Sequence, residues 1–405
     1  MNVMITGAQF SNKGAQSLLF NLMNQLREYY NDITIYYMPL DDYTRYPHDV
    51  YKFEVVYGRQ PALDYAKGMT SRFVTTIKAA VKALLQKKHI PLQDIKKYYR
   101  ILPQIDVLID ISGYQLSSKW DIKINRRYLE YIENAKKYGS KVILMPQSFG
   151  PFEYGSFQAD MEQQITRVLK KVDLIFAREH EGATLLQKLG IENVEVSPDL
   201  VLQADAVKWE NIFYDKPEIH CPFLETKNNI GIIPNFQTFE HGNSENVLKI
   251  YQSIVRHLIS KGKNVYIFRH SADINVCKKI YEGFADEKNV YLIEDELDCL
   301  DYAEFIKQFD FIVASRYHAV VHAYKENIPV IILGWAVKYQ ELAELMNQER
   351  YVFDITGTDF GVTEKIISAI DMMDDHVLEE KSRITAGLNI IRKNSCFGKC
   401  REVIG

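Results

Sequence analysis

Short apolar runs recur along this chain, and each gives way to a stretch in which apolar positions return every three or four residues. The first half carries NVMIT, ITIYY, FEVVY, DVLIDI, KVILMP, DLIFA and VEVS, and the second NIGIIP, NVYIF, NVYLI, DFIVA, PVIIL and YVFDI. Between them, 16–29, 128–138, 160–171, 245–261, 277–284 and 301–308 have helical spacing. Unbroken Val/Ile strands alternating with helices predict parallel sheets covered on both faces. The periodicity is weakest over 204–229, where a linker is expected. The pattern predicts two Rossmann-like, doubly wound parallel-sheet domains, 1–210 and 225–360, facing a cleft in a glycosyltransferase-B-like arrangement. A C-terminal helix over 363–394, with no strand after it, is expected to cross back onto the first domain.

Length and composition agree with this reading. A chain of 405 residues suits two domains. A net charge of −4 gives no footprint for nucleic acid. MNVMITGAQF lacks a secretory apolar core, and no apolar run is long enough to span a bilayer. The five scattered cysteines suit a reducing compartment, so a cytoplasmic protein is expected. Cys396 and Cys400, in CFGKC, lack zinc or redox spacing and are expected in a solvent-facing tail. One region departs from the average: from Lys67 to Arg100 there are nine Lys or Arg and one acid, Asp94. Phe73, Ile77, Val81, Leu84 and Leu85 recur there at helical spacing. The segment reads either as a helix with a solvated basic face or as a helical insertion that meets an anionic membrane surface.

Ligands of open parallel sheets bind beyond the carboxyl ends of the strands, so the residues after each strand are the candidates for chemistry. The first half offers Asn12 and Gly14 at the start of the first helix, then Ser112 and Gly113, Gln147 and Ser148, and Arg178 and Glu179. The second offers Asn235, Arg269 and His270, then Ser315, Arg316 and His318, and finally Lys338. Arg178 and Glu179 equally suit a pair with one another on the surface, and Asp199 suits a helix N-cap. His318 and His322 stand four apart, but no acid completes a zinc motif and no metal is expected. Arg316 needs an anion, because a guanidinium directly after a buried strand is costly without one.

Taken in order, these residues resemble the polysaccharide pyruvyl transferase family. SRYHAVVHA carries its Ser-Arg-x-His signature, followed by IPVIIL and Lys338; SNKGAQ, QSFGP, ARE and SPD match its other elements. The loop glycine, Gly14, is followed by Ala15 and Gln16 where many members have Asp, and residues 67–100 have no counterpart. The resemblance implies transfer of the enolpyruvyl group of phosphoenolpyruvate onto two hydroxyls of a sugar. It suggests a lipid-linked oligosaccharide acceptor and an enzyme peripheral to the inner face of the membrane. His318 would be the acid–base group. Arg316, Arg269 and Lys338 would clamp the anionic donor, with His270, Ser315 and Asn235 nearby. Asn12, Gln147, Ser148 and Glu179 would hold the acceptor, with Glu179 as a second base. No cofactor is implied. A nucleotide-sugar glycosyltransferase of the same architecture is the competing expectation.

Overall fold

The computed structural model describes residues 1–40, 43, 47–58, 77, 81, 92–224, 226–334, 336–357 and 361–405. The chain forms two compact units, Met1–Pro217 with Ser395–Gly405, and Glu218–Asn394.

In the first unit the strands are β1 (Asn2–Thr6), β2 (Thr34–Met38), β3 (Glu54–Val55), β4 (Val107–Asp110), β5 (Lys141–Gln147), β6 (Leu174–Ala177) and β7 (Val194–Val196). They form one sheet in the order β3-β2-β1-β4-β5-β6-β7, every neighbour parallel. The helices that serve the site are α1 (Lys13–Tyr29), α2 (Leu92–Ile101), α3 (Ile122–Lys137), α4 (Gln158–Leu169), α5 (His180–Lys188) and α6 (Leu200–Gln203). All four residues of β4 and of β6 are buried, as strands sandwiched between two helical layers must be.

The second unit repeats the plan with β8 (Asn229–Ile233), β9 (Asn264–Phe268), β10 (Val290–Ile293), β11 (Phe311–Ala314), β12 (Val330–Leu333) and β13 (Val352–Phe353). Their order, β10-β9-β8-β11-β12-β13, reverses direction between β8 and β11. Its helices are α7 (Phe236–His241), α8 (Ser244–Ser260), α9 (Ile274–Tyr281), α10 (Cys299–Ile306), α11 (Tyr317–Lys325), α12 (Val337–Glu344), α13 (Val362–Asp375) and α14 (Val377–Lys393). A core of Ile230, Ile232, Val247, Ile254, Val265 and Val313 binds sheet to helices. All thirteen apolar runs of the sequence are thus strands, and both units have the expected class.

The boundary between the two units, Pro217/Glu218, falls within 204–229, where the linker is expected. Ile212 is fully buried, and the Phe213 ring lies 5.3 Å from Tyr51 and 5.5 Å from Phe20 in the first unit. His220 and Leu224 donate backbone N–H bonds to Asp301 and Gln308 of the second. The rest of the segment is largely exposed, and these few contacts anchor it to the unit on either side. The structure corrects two other expectations. The expected single helix over 363–394 is two, α13 and α14, and both belong to the second unit. The segment that rejoins the first unit is α15 (Cys396–Ile404), capped by the Ser395 hydroxyl on the Phe397 N–H. It packs on β5 and β6, so Cys396 and Cys400 are buried and not in a solvated tail. The Cys400 Sγ lies 3.7 Å from the Met145 Sδ. Both thiols behave as small apolar groups, and burial pushes the Cys396 thiol well above its usual range.

Phe73, Leu84 and Leu85 of the apolar stripe, and most of the basic residues within 67–100, lie outside the described residues. Ile77 and Val81 are described and exposed. In α2, Tyr98 is buried and Lys97 pairs with Glu54 at 2.7 Å. No helix among the described residues is long and apolar enough to cross a membrane.

Candidate functional site

In the second unit, β8, β9, β11 and β12 bring their carboxyl ends to one edge, with the reversal of strand order at the centre. Ser315 is the knot. Its hydroxyl meets the Tyr251 hydroxyl at 2.8 Å, and its carbonyl accepts from Asn235 Nδ2 at 3.1 Å and Tyr339 Oη at 2.9 Å. Asn235 also caps α7 through the Gln237 N–H. These bonds tie three strand ends together and leave Arg316, extended in backbone, as the N-cap of α11.

The anion that Arg316 needs is Asp273. Its carboxylate accepts from Nε at 2.7 Å and Nη2 at 2.8 Å, and it accepts the Phe236 N–H at 3.1 Å. The Asp273 side chain is fully buried while that of Arg316 remains 22% exposed. The Phe236 ring lies under the guanidinium at 5.6 Å. A bidentate pair with its acid buried fixes the plane of the guanidinium.

In the first turn of α11, the His318 ring is nearly parallel to that of His270, their centroids 6.5 Å apart. His322 is 5.3 Å from His270 and packs against Tyr302, so it belongs to the wall. Lys338, in the first turn of α12, places its Nζ 5.4 Å from the Tyr317 ring centroid, and that ring meets His318 edge-on at 5.6 Å. Arg316, His318, His270 and Lys338 therefore share one edge. Arg269 turns away from this group. Its Nη2 donates to the Glu294 carbonyl at 3.2 Å and lies 3.8 Å from the Glu296 carboxylate. Among the described residues, no group of three or more His, Cys, Asp or Glu side chains is placed to hold a metal.

The candidates of the first unit separate into two groups. Arg178 donates to Glu179 and Asp199, each at 3.0 Å, and to the Ser148 hydroxyl at 2.7 Å; that hydroxyl donates to Glu179 at 2.8 Å. Arg178 and Glu179 pair as the alternative had it, but in the interior rather than on the surface, with side chains 4% and 8% exposed. Asp199 does cap α6, through the Val201 N–H, and holds Arg178 with its other oxygen.

The second group borders a cavity of about 370 Å³ at the carboxyl ends of β1 and β4. Asn12 and Ser112 line it, and Asn12 caps α1 through the Ala15 N–H at 3.2 Å. Gly14 lies in the first turn of that helix. Gly113 adopts φ +68, which favours glycine. At the cavity's base stands Asp110, which the sequence reading missed. It accepts from Thr6 Oγ1 (2.9 Å), Ser112 Oγ (2.8 Å), Ser112 N (3.2 Å), Tyr128 Oη (3.2 Å) and Gln147 Nε2 (3.2 Å). Burial raises its pKa, opposed by the hydrogen bonds from Ser112, Thr6 and Gln147. Gly7 adopts φ +95 over this group, and a Cβ there would come within 2.3 Å of the Ser112 hydroxyl. The usable signal was an acid at the carboxyl end of an otherwise apolar strand. Asp273 gave none, since a loop Asp in SADIN looks ordinary.

Fold and candidate sites together define a protein of two doubly wound α/β units, each with polar groups gathered at the carboxyl ends of its strands. A family model described as polysaccharide pyruvyl transferase matches residues 12–336, and the chain belongs to that family. Among curated proteins, none matches. Solved structures share the fold. The UDP-GlcNAc 2-epimerase from Methanocaldococcus jannaschii is 14% identical, with 92% of each chain covered and a TM-score of 0.55. The Neisseria meningitidis UDP-GlcNAc 2-epimerase, bound to UDP-GlcNAc, is 13% identical over 97% of this chain and 99% of that one, with a TM-score of 0.53. A trehalose-6-phosphate synthase is 10% identical over 97% and 96%, with a TM-score of 0.52. Identities this low speak for the fold alone.

Proposed function

We propose that this transferase moves the enolpyruvyl group of phosphoenolpyruvate onto two hydroxyls of a sugar carried on a lipid-linked polysaccharide precursor. The products are a cyclic pyruvate ketal and phosphate. The observation that carries this reading is the gathering of Arg316, His318 and Lys338 at one edge of the second unit, with the guanidinium plane held by buried Asp273.

Phosphoenolpyruvate presents a phosphate and a carboxylate within a few ångströms, and fixed cations suit both. Asp273 occupies Nε and Nη2 of Arg316, so Nη1 is the nitrogen an incoming anion would meet. Lys338 supplies the second charge. Arg269 is held by Glu294 and Glu296, and its contribution is to the wall.

His318 protonates the vinyl methylene, which leaves C2 an oxocarbenium. One sugar hydroxyl bonds to C2 and the C2–O bond to phosphate breaks; the second hydroxyl then closes the ketal. The two hydroxyls lose two protons, of which one balances the proton given to carbon and the other goes to phosphate. A single imidazole can give the first and collect from the hydroxyls. The first unit takes the acceptor. Glu179 is already held by Arg178 and Ser148, which suits orienting a hydroxyl more than moving its proton.

The test incubates the protein with phosphoenolpyruvate and a lipid-linked oligosaccharide extract. Phosphate release with a mass gain of one pyruvate less water supports the reading. Release of UDP from a UDP-sugar instead, with phosphoenolpyruvate untouched, replaces it with nucleotide-sugar transfer. Location at the inner face of the membrane, through residues 67–100, is part of the same proposal. Sedimentation with anionic but not neutral liposomes at low salt supports it, and no sedimentation with either removes it.

A further inference from the structure

The cavity at the carboxyl ends of β1 and β4 is chemically unlike the edge that holds His318. Its base is a carboxylate, its walls are hydroxyls, amides and aromatic rings, and among the described residues its lining includes one cation, Arg127. An ionised carboxylate accepts hydrogen bonds and donates none. The hydroxyls of Thr6 and Ser112 therefore spend their protons on Asp110, and that of Tyr128 spends its proton on Asp110 or on the Gln147 carbonyl oxygen, 3.2 Å away. All three residues line the cavity, and with their protons so spent their hydroxyls have only lone pairs left to offer a ligand.

We propose that Asp110 is a positioning residue that turns the hydroxyls of Thr6, Ser112 and Tyr128 into a cradle of hydrogen-bond acceptors, making this cavity the binding site for a neutral sugar ring. The inference deepens the proposed acceptor site of the first unit and rests on that reading for its place in the reaction. Sugar hydroxyls supply the donors that such a cradle lacks. The Trp120 ring, also lining the cavity, offers an apolar face to the C–H side of a pyranose. A phosphate or carboxylate at this base would meet oxygen lone pairs above a buried negative charge, so the described part of the cradle favours a neutral ligand over an anion. At about 370 Å³ the cavity lies at the small end of ligand pockets, as one sugar unit requires. Gly7 belongs to the same device, because any side chain there would displace Ser112 and Asp110.

Binding can be followed without turnover. Methyl glycosides of glucose, galactose, mannose, N-acetylglucosamine and N-acetylmannosamine are titrated against the full chain by saturation-transfer NMR, with phosphoenolpyruvate and UDP as anionic probes. At least one glycoside should bind, and Asp110→Asn should weaken it by about tenfold or more, since an amide turns a donor toward groups that need an acceptor. Ser112→Ala should weaken it by a smaller factor. Phosphoenolpyruvate binding should stay within about twofold in both variants, a split that general loosening of the fold would not produce.

Circular dichroism melting reports whether Asp110→Asn is folded. If it is not, Gln9→Ala and Trp120→Ala take its place, since both line the cavity and Trp120 is 43% exposed. No bound glycoside, binding unchanged in the folded variants, or displacement of the glycoside by UDP or phosphoenolpyruvate would overturn the proposal. Asp110-dependent sugar binding without phosphate release from phosphoenolpyruvate would remove the pyruvyl-transfer reading and leave the cradle standing.

Discussion

The two sheets share a strand order from their third strand to their sixth, yet the strand that follows the reversal ends differently in each. In the first unit β4 ends in Asp110, an acid surrounded by donors. In the second, β11 is followed by Ser315 and Arg316, and the buried acid, Asp273, comes from the loop after β9. Both units use an Asn to start the first helix after the first strand, Asn12 in one and Asn235 in the other. The scaffold is thus repeated and the charge is reversed. One unit buries an acid behind neutral hydroxyls, and the other buries an acid behind a partly exposed guanidinium. A parallel sheet fixes where a ligand sits; the residues after each strand decide which ligand it is.

If that contrast holds, the largest effect belongs to His318. His318→Asn should remain folded and lose about 10²–10⁴-fold in turnover, the usual range for a lost acid–base group. Phosphate release under saturating substrates measures it; unchanged turnover would move the acid to His270. Next comes the pair itself. Arg316→Ala strands the buried Asp273 carboxylate, so it should raise the KM for phosphoenolpyruvate and also cost about 3–5 kcal/mol of stability. Urea titration separates the two effects. A fall in binding with no change in midpoint would show that Asp273 does not depend on Arg316.

Gly7→Ala probes the opposite unit. It forces a side chain into φ +95 and into the Ser112 hydroxyl, at a cost of about 1–3 kcal/mol. The loss should appear in the denaturant midpoint, and sugar affinity should fall while phosphoenolpyruvate binding is spared.

The smallest effect is in pH dependence, where the acids of the two units should have opposite signs. Asp110 has a raised folded pKa, dominated by burial. Its burial therefore costs stability above that pKa, and the cost is gone below the unfolded value. Asp371, between α13 and α8, has a lowered pKa. Burial alone would raise it, but hydrogen bonds from Lys261 and His257 outweigh burial. Its contribution is present above the unfolded pKa and is lost as pH falls through the folded one. That carboxylate is 38% exposed, so about 0.2–1 kcal/mol is at stake. Thermal melts of Asp371→Asn and wild type between pH 3 and pH 7 should converge at the acid end.

The architecture was legible in the residues because it depends on local pattern. Thirteen apolar runs became thirteen strands, since a strand covered on both faces must be apolar throughout and the chain declares this residue by residue. Ser315, Arg316, His318 and Lys338 were legible for a related reason: polar groups directly after buried strands are costly unless used, and parallel pairing of β11 with β12 sets their ends side by side. Contacts distant in sequence were not legible. Asp273 reaches Arg316 across 43 positions, and Thr6 reaches Asp110 across 104. No periodicity encodes which loop acid meets which guanidinium, or that a strand acid will collect four side-chain donors. The same holds for Cys396 and Cys400, whose polar neighbours in sequence suggested solvent until β5 and β6 covered them. The chain by itself determined where strands end and which groups stand there. Only the tertiary structure decided which of those groups are satisfied inside the protein and which still face a ligand, because burying a charge is settled by partners that folding brings from elsewhere.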